Sequence, residues 1–138
     1  MFAINFINEF LPVLKPQDTG KLAIQWFEEF HTEQLVVVDK GRYCGIVSEG
    51  EILDSNDLTS SIETFPIKNS NVFVYGQQHI LEVFKIYLNH DLSLIPVLNE
   101  NKVFQGIITY KDFFRAFEEI SSLGIDGSIL VLGVDLKN

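Results

Sequence analysis

Apolar positions recur along the chain with two periods, and their alternation outlines the elements. In residues 1–16, Phe2, Phe6 and Phe10 stand four apart, with Ile7, Leu11 and Leu14 on adjoining positions. This spacing predicts a short amphipathic helix ended near Pro12. Leu22, Ala23, Trp26, Phe27 and Phe30 form the next helical stripe, with Asp18 or Thr19 as its N-cap. Three consecutive valines, Val36 to Val38, then predict a short buried strand. Lys40-Gly41 turns the chain, RYCGIVS returns as the hairpin partner, and GEILDS starts a short helix. A polar stretch, Ser55 to Ser61, leads into a linker ending at Pro66.

The same order then recurs. Val72 to Tyr75 reads as a strand, and residues 80–88 carry apolar side chains at i, i+1, i+3, i+4, i+7 and i+8, a helix. LSLIPVLNENKVFQGIITYKD reads as strand, turn, strand, followed by a helix from Lys111 to Ser121 with Phe113, Phe114, Phe117 and Ile120 inward. Laid over each other, residues 35–39 match residues 95–99 at an offset of 60, and residues 45–48 match 106–109 at 61. The change of offset places a one-residue insertion in the hairpin turn, where it costs least. Two such repeats cannot each bury a small sheet alone, so the pattern predicts an α+β fold in which they pack against each other.

Composition narrows the functional classes. The chain has 138 residues, 46% of them hydrophobic, which suits a folded unit rather than a disordered one. Its 10 basic and 19 acidic residues give a net charge of -9, opposed to nucleic acids and anionic membranes. The single Cys44 forbids an internal disulfide and a cysteine-based metal cluster. No apolar run approaches the ~18 residues of a membrane span, and the expected setting is the cytoplasm.

Candidate chemistry sits at a repeated elbow, G-h-h-[S/T]-x-x-[D/E], at Gly45 to Glu51 and Gly106 to Asp112. A hydroxyl at a strand end and a carboxylate in the next helix's first turn suit two roles. One is a capping box; the other is a nucleotide contact, with Thr109 at a phosphate and Asp112 at ribose hydroxyls. The two are compatible. Ser48 and Glu51 repeat the pattern in the first copy. His31, His79 and His90 have no metal-ligand spacing, and His31 and His90 fall at helix C-termini, where capping explains them. Pro96 begins or edges a strand, leaving room for a ligand edge. No acid–base pair is evident from spacing, so no catalytic residue is named.

The stretches LVVVDKGRYCGIVSEGEIL and LIPVLNENKVFQGIITYKDFF make residues 10–120 resemble a tandem pair of CBS domains, a Bateman module. The resemblance implies two β-α-β-β-α repeats packed sheet to sheet with pseudo-two-fold symmetry, residues 1–64 (with the leading helix) and 65–122. It implies clefts for AMP, ADP, ATP or S-adenosylmethionine as effector, with no catalysis and no required cofactor. By the family pattern Thr109 and Asp112 hold phosphate and ribose, the main chain around Ile95 and Pro96 borders the base together with Val72 from the strand preceding the helix, and Ile107 joins the site. Ser48, Glu51, Leu35 and Val36 form a weaker second site, since Glu51 departs from the family aspartate. A homodimer is implied too, with the Phe2–Phe6–Phe10 face as one surface for it. Residues 123–138, with SILVLGV, resemble the opening strand of an ACT-like domain that follows the CBS pair in acetoin-utilisation-like bacterial proteins. The chain would then stop just inside that domain. The alternative function is a structural or dimerisation module without nucleotide.

Overall fold

The computed structural model describes residues 1–122; the strand expected in residues 123–138 lies outside the described residues. Helix α1 (Gly20–Glu29) is followed by the hairpin β1 (Gln34–Asp39) and β2 (Arg42–Ser48) and by α2 (Glu49–Leu53). The second copy has β3 (Val74–Tyr75), α3 (Ile80–Asn89), β4 (Leu94–Leu98), β5 (Phe104–Thr109) and α4 (Tyr110–Ser122). The α+β class holds.

The duplication is visible in the register of the hairpins and in the caps of the helices. Both hairpins carry a register shift at the same place, between Val37 and Val38 and between Val97 and Leu98. The first turn is the two residues Lys40 and Gly41, both at positive φ, as a tight hairpin turn requires. In the second, Asn99 Oδ1 accepts from Asn101 N and Val103 N, and Lys102 takes φ 62°. The longer second turn is the inserted residue. Thr19 Oγ1 caps α1 by accepting from Leu22 N at 3.1 Å, and its counterpart His79 caps α3 through Nδ1, accepting from Leu81 N at 3.2 Å.

Each sheet has one face on its own helices and one on the other repeat. Leu35 and Val37 of β1 join Phe27 and Ile52, whereas Ile95 and Val97 of β4 join Val83 and Phe113. The alternate residues Val36, Val38 and Ile46 meet Leu94 and Ile107 in a third cluster between the two hairpins. Strand alternation therefore makes two outer cores and one central seam. Polar ties close the seam at both ends. Gln34 Oε1 accepts from Ser93 N (2.7 Å) and Oγ (3.0 Å), and Phe104 N donates to Gly41 O at 2.8 Å.

The segment ahead of each repeat crosses to the other repeat. Asn8 bridges Ile107 on the open edge of β5, and sixty residues later Lys68 bridges Ile46 on the open edge of β2. These crossings explain the two elbow glycines. A Cβ on Gly45 would stand 2.6 Å from Ile67 Cγ2, and one on Gly106 would collide with Ile7 Cγ2. Only a residue without a side chain lets the strap pass.

Three expectations are corrected. The leading amphipathic helix is a single 3₁₀ turn, Ala3–Phe6, because the chain is pulled straight beyond it to pair with β5. Phe6 is buried, so Phe2, Phe6 and Phe10 share no exposed face. Phe114 is 52% exposed rather than inward, its place in the core being taken by Phe113 and Phe117 against Phe84.

Candidate functional site

The second elbow is a capping box. Thr109 ends β5, and Asp112 is the third residue of α4, so a carboxylate lies one helical turn beyond the hydroxyl. Asp112 Oδ2 accepts from Thr109 N at 2.9 Å and Thr109 Oγ1 at 2.7 Å, while Asp112 N faces Thr109 Oγ1 at 3.4 Å. The carboxylate is buried, at 7% exposure, against the positive end of the helix dipole. Its other oxygen, Oδ1, lies 3.8 Å from Arg115 Nη2, beyond hydrogen-bond reach. From α3, Tyr87 donates to Ile108 O at 2.9 Å and stacks on Tyr110 at 4.4 Å, which clamps the elbow from behind. Burial, then neighbouring Tyr110 and Asp112, push the Tyr87 phenol well above its ordinary range.

Above this elbow opens a cavity of about 590 Å³. Thr109, Tyr110 and Lys111 of the elbow line it together with Ser93. Phe30, His31, Thr32 and Glu33 come from the link between α1 and β1, and Asn8, Phe10 and Leu11 from the crossing strap. The site is thus built by both repeats. Its volume falls within the range of small-molecule pockets. His31 stands just past α1 in a left-handed conformation (φ 51°), and His90 ends α3 through its backbone N–H, which donates to Ile86 O. Among the described residues no group of three or more His, Cys, Asp or Glu is placed to hold a metal ion. Cys44 is a free, half-buried thiol pushed up by burial and by Asp39.

The other expected residues separate. Ile95 is fully buried with its side chain in the outer core, and Pro96 lies inside β4 opposite Ile107, before β3 begins to pair at Val97. Ile107 belongs to the central seam. Val72 packs on that seam with Tyr43, beside the first repeat, and does not line the Thr109 cavity. Its place there is taken by the strap sixty residues earlier, Leu11 included.

At the first elbow Ser48 makes no capping bond, and Glu51 Oε2 reaches Lys68 Nζ at 3.3 Å. Leu35 and Val36 are fully buried, on opposite faces of β1. The two elbows therefore share a sequence pattern but not a hydrogen-bond arrangement.

Asn8, Phe10, Leu11 and residues 30–33 were not among the expected site residues. One signal for the strap was present: Ile7 and Ile67 stand at the same offset of 60 as the hairpin residues. Residues 30–33 carry no repeat or motif of their own.

Residues 63–119 match the family model of the CBS domain. The fold resembles a CBS domain pair/ACT domain protein from Thermotoga maritima, with a TM-score of 0.80, 23% identity, and coverage of 86% of this chain and 98% of that one. It also resembles CBSX2 in complex with AMP, with a TM-score of 0.73, 19% identity and coverage of 87% and 98%. An uncharacterized 17.7 kDa protein of Acidianus ambivalens is 26% identical over 115 residues, covering 80% of this chain and 70% of the relative. Residues 63–119 thus carry a match to the CBS domain, and the described residues have the fold of a CBS domain pair. Among the described residues, no helix is long and apolar enough to cross a membrane.

Proposed function

We propose that the pair is a non-catalytic regulatory module whose inter-repeat cleft binds an adenosine-containing ligand, AMP-like in preference to ADP, ATP or S-adenosylmethionine. The observation that carries this reading is the 590 Å³ cavity lined by both repeats and by the Thr109 elbow. In this reading Asp112 Oδ1, which the capping box does not use and which faces Arg115 at 3.8 Å, is the acceptor for ribose hydroxyls. The elbow residues that line the cavity itself are Thr109, Tyr110 and Lys111, and Thr109 stands at the helix N-terminus where a phosphate is favoured. The structural likeness to a CBS protein crystallised with AMP supports the same ligand class. A ligand that touches both repeats binds one of their relative arrangements better and shifts the equilibrium toward it. The net charge of -9 disfavours a triphosphate. In this reading the module acts in the cytoplasm as a homodimer. Isothermal titration with AMP, ATP and S-adenosylmethionine tests it: binding of AMP with the tightest affinity is expected, and no binding of any at millimolar concentration overturns it.

A structural module without nucleotide is the second reading. It is favoured by Asp112 Oδ2 being engaged by its own elbow and by Glu51 being paired with Lys68. A melting temperature indifferent to all adenosine ligands would select it.

A further inference from the structure

Resting on the cleft reading above, we infer that Asn8 is the specificity-determining residue that donates a hydrogen bond to an acceptor atom of the bound ligand. Asn8 lies in the strap, its N–H donating to Ile107 O at 2.7 Å, so it is fixed on the edge of β5 two residues before Thr109. Its side-chain oxygen accepts from Phe10 N at 2.8 Å and from Leu11 N at 2.9 Å. Two N–H donors at one oxygen decide the orientation of the amide, because a flipped side chain would set NH₂ against both of them. The Nδ2 group is therefore held on the opposite side of the amide, and it has no hydrogen-bond partner among the described residues. Asn8 is half-buried and lines the cavity that Thr109 also lines.

A fixed group that donates and cannot accept reads one kind of edge. It favours a ligand that presents an acceptor, such as a purine ring nitrogen, and rejects one that presents a donor there, whose N–H would face another N–H. The second copy keeps the donor character at this position. Its Lys68, however, is spent on Glu51 within the protein. Among the described residues Asn8 faces no such acceptor, which leaves its donor for the ligand.

The test is titration of the whole chain and of Asn8→Asp with AMP and with adenosine. The aspartate still accepts from Phe10 N and Leu11 N, so the turn survives while the donor is lost. Both ligands are expected to weaken about tenfold, the cost of one unpaired hydrogen bond in a partly buried site, with the melting temperature unchanged. Loss for AMP alone signals charge repulsion and overturns the inference, as does unchanged binding of both. Should Asn8→Asp fail to fold, Asn8→Ser keeps a side-chain oxygen for the turn and withdraws the long donor. It is expected to show the same tenfold loss, and unchanged binding overturns the inference there too. If the wild-type chain binds neither ligand, the cleft reading itself falls and takes this one with it. Wild-type binding that Asn8→Asp leaves intact overturns the Asn8 role alone.

Discussion

Lys68 Nζ stands 3.3 Å from Glu51 Oε2, whereas Asn8, its counterpart sixty residues earlier, turns its side-chain oxygen onto Phe10 N and Leu11 N. One elbow carboxylate is neutralised by the strap that crosses it; the other is satisfied by its own threonine. The two halves of the duplication have diverged at the chemistry while keeping the fold. Ligand titration is accordingly expected to give one site per chain. Asp112→Ala should weaken AMP binding at least tenfold and Glu51→Ala less than twofold, both read by calorimetry. Equal losses would contradict this asymmetry.

The capping box makes Thr109 and Asp112 a coupled pair for stability as well. Each alanine substitution should cost about 1 kcal/mol in urea denaturation, by loss of the cap. The double variant should cost less than the sum, because both singles remove the same bonds. Additive losses would mean that the two residues act independently.

Glycine substitutions separate close approach from conformational preference. Gly45→Ala meets Ile67 at 2.6 Å and Lys68 O at 2.7 Å, and its φ of 148° is strained for any L side chain. It should destabilise by about 2 kcal/mol or more. Gly50→Ala, inside α2 with nothing within 4 Å, should be neutral or stabilise by up to about 1 kcal/mol. Thermal melts of the two variants check the contrast.

Alkaline pH should loosen the fold through two tyrosines. Tyr43, whose hydroxyl donates to Asn69 O at 2.6 Å, and Tyr87 are both pushed well above the ordinary tyrosine range, chiefly by burial. A raised folded-state value means that the native state holds its proton more tightly than the unfolded chain. The stability tied to it is complete below about pH 10, the unfolded value, and is lost as the pH rises through the folded-state values. Denaturant midpoints should fall above pH 10, and Tyr87→Phe should flatten that fall. A midpoint independent of pH there would contradict the burial of both hydroxyls.

The seam between the hairpins rests on few side chains, so a single truncation should be felt. Leu94 is fully buried between Val36, Ile46 and Ile107. Leu94→Ala should cost about 2–5 kcal/mol, measured by urea denaturation, and should weaken ligand binding in parallel, because Ser93 beside it lines the cleft.

Much of this was legible in the chain. The offset of 60 changing to 61 located both hairpins and the inserted turn residue, since strand alternation and turn chemistry are local. The elbow spacing located the cap. What escaped was the crossing of the straps. Asn8 and Lys68 make isolated bridges, which leave no periodicity to read. The four-residue spacing of Phe2, Phe6 and Phe10 imitates a helix, though Phe6 enters the core and Phe10, after the turn at Asn8, is 84% exposed. Val72, which the family pattern sets beside the base, packs on the central seam with Tyr43. Residues 30–33 reach the cleft only through packing of one repeat on the other, which no local pattern records.

The exchange of straps has a consequence for how the molecule comes apart. Unfolding either repeat strips a β-bridge from the other and uncovers its elbow glycine, so neither half is an independent unit of cooperativity. The internal duplication that looks modular in sequence should therefore unfold as one thermodynamic body, with heating tracing one transition for two repeats.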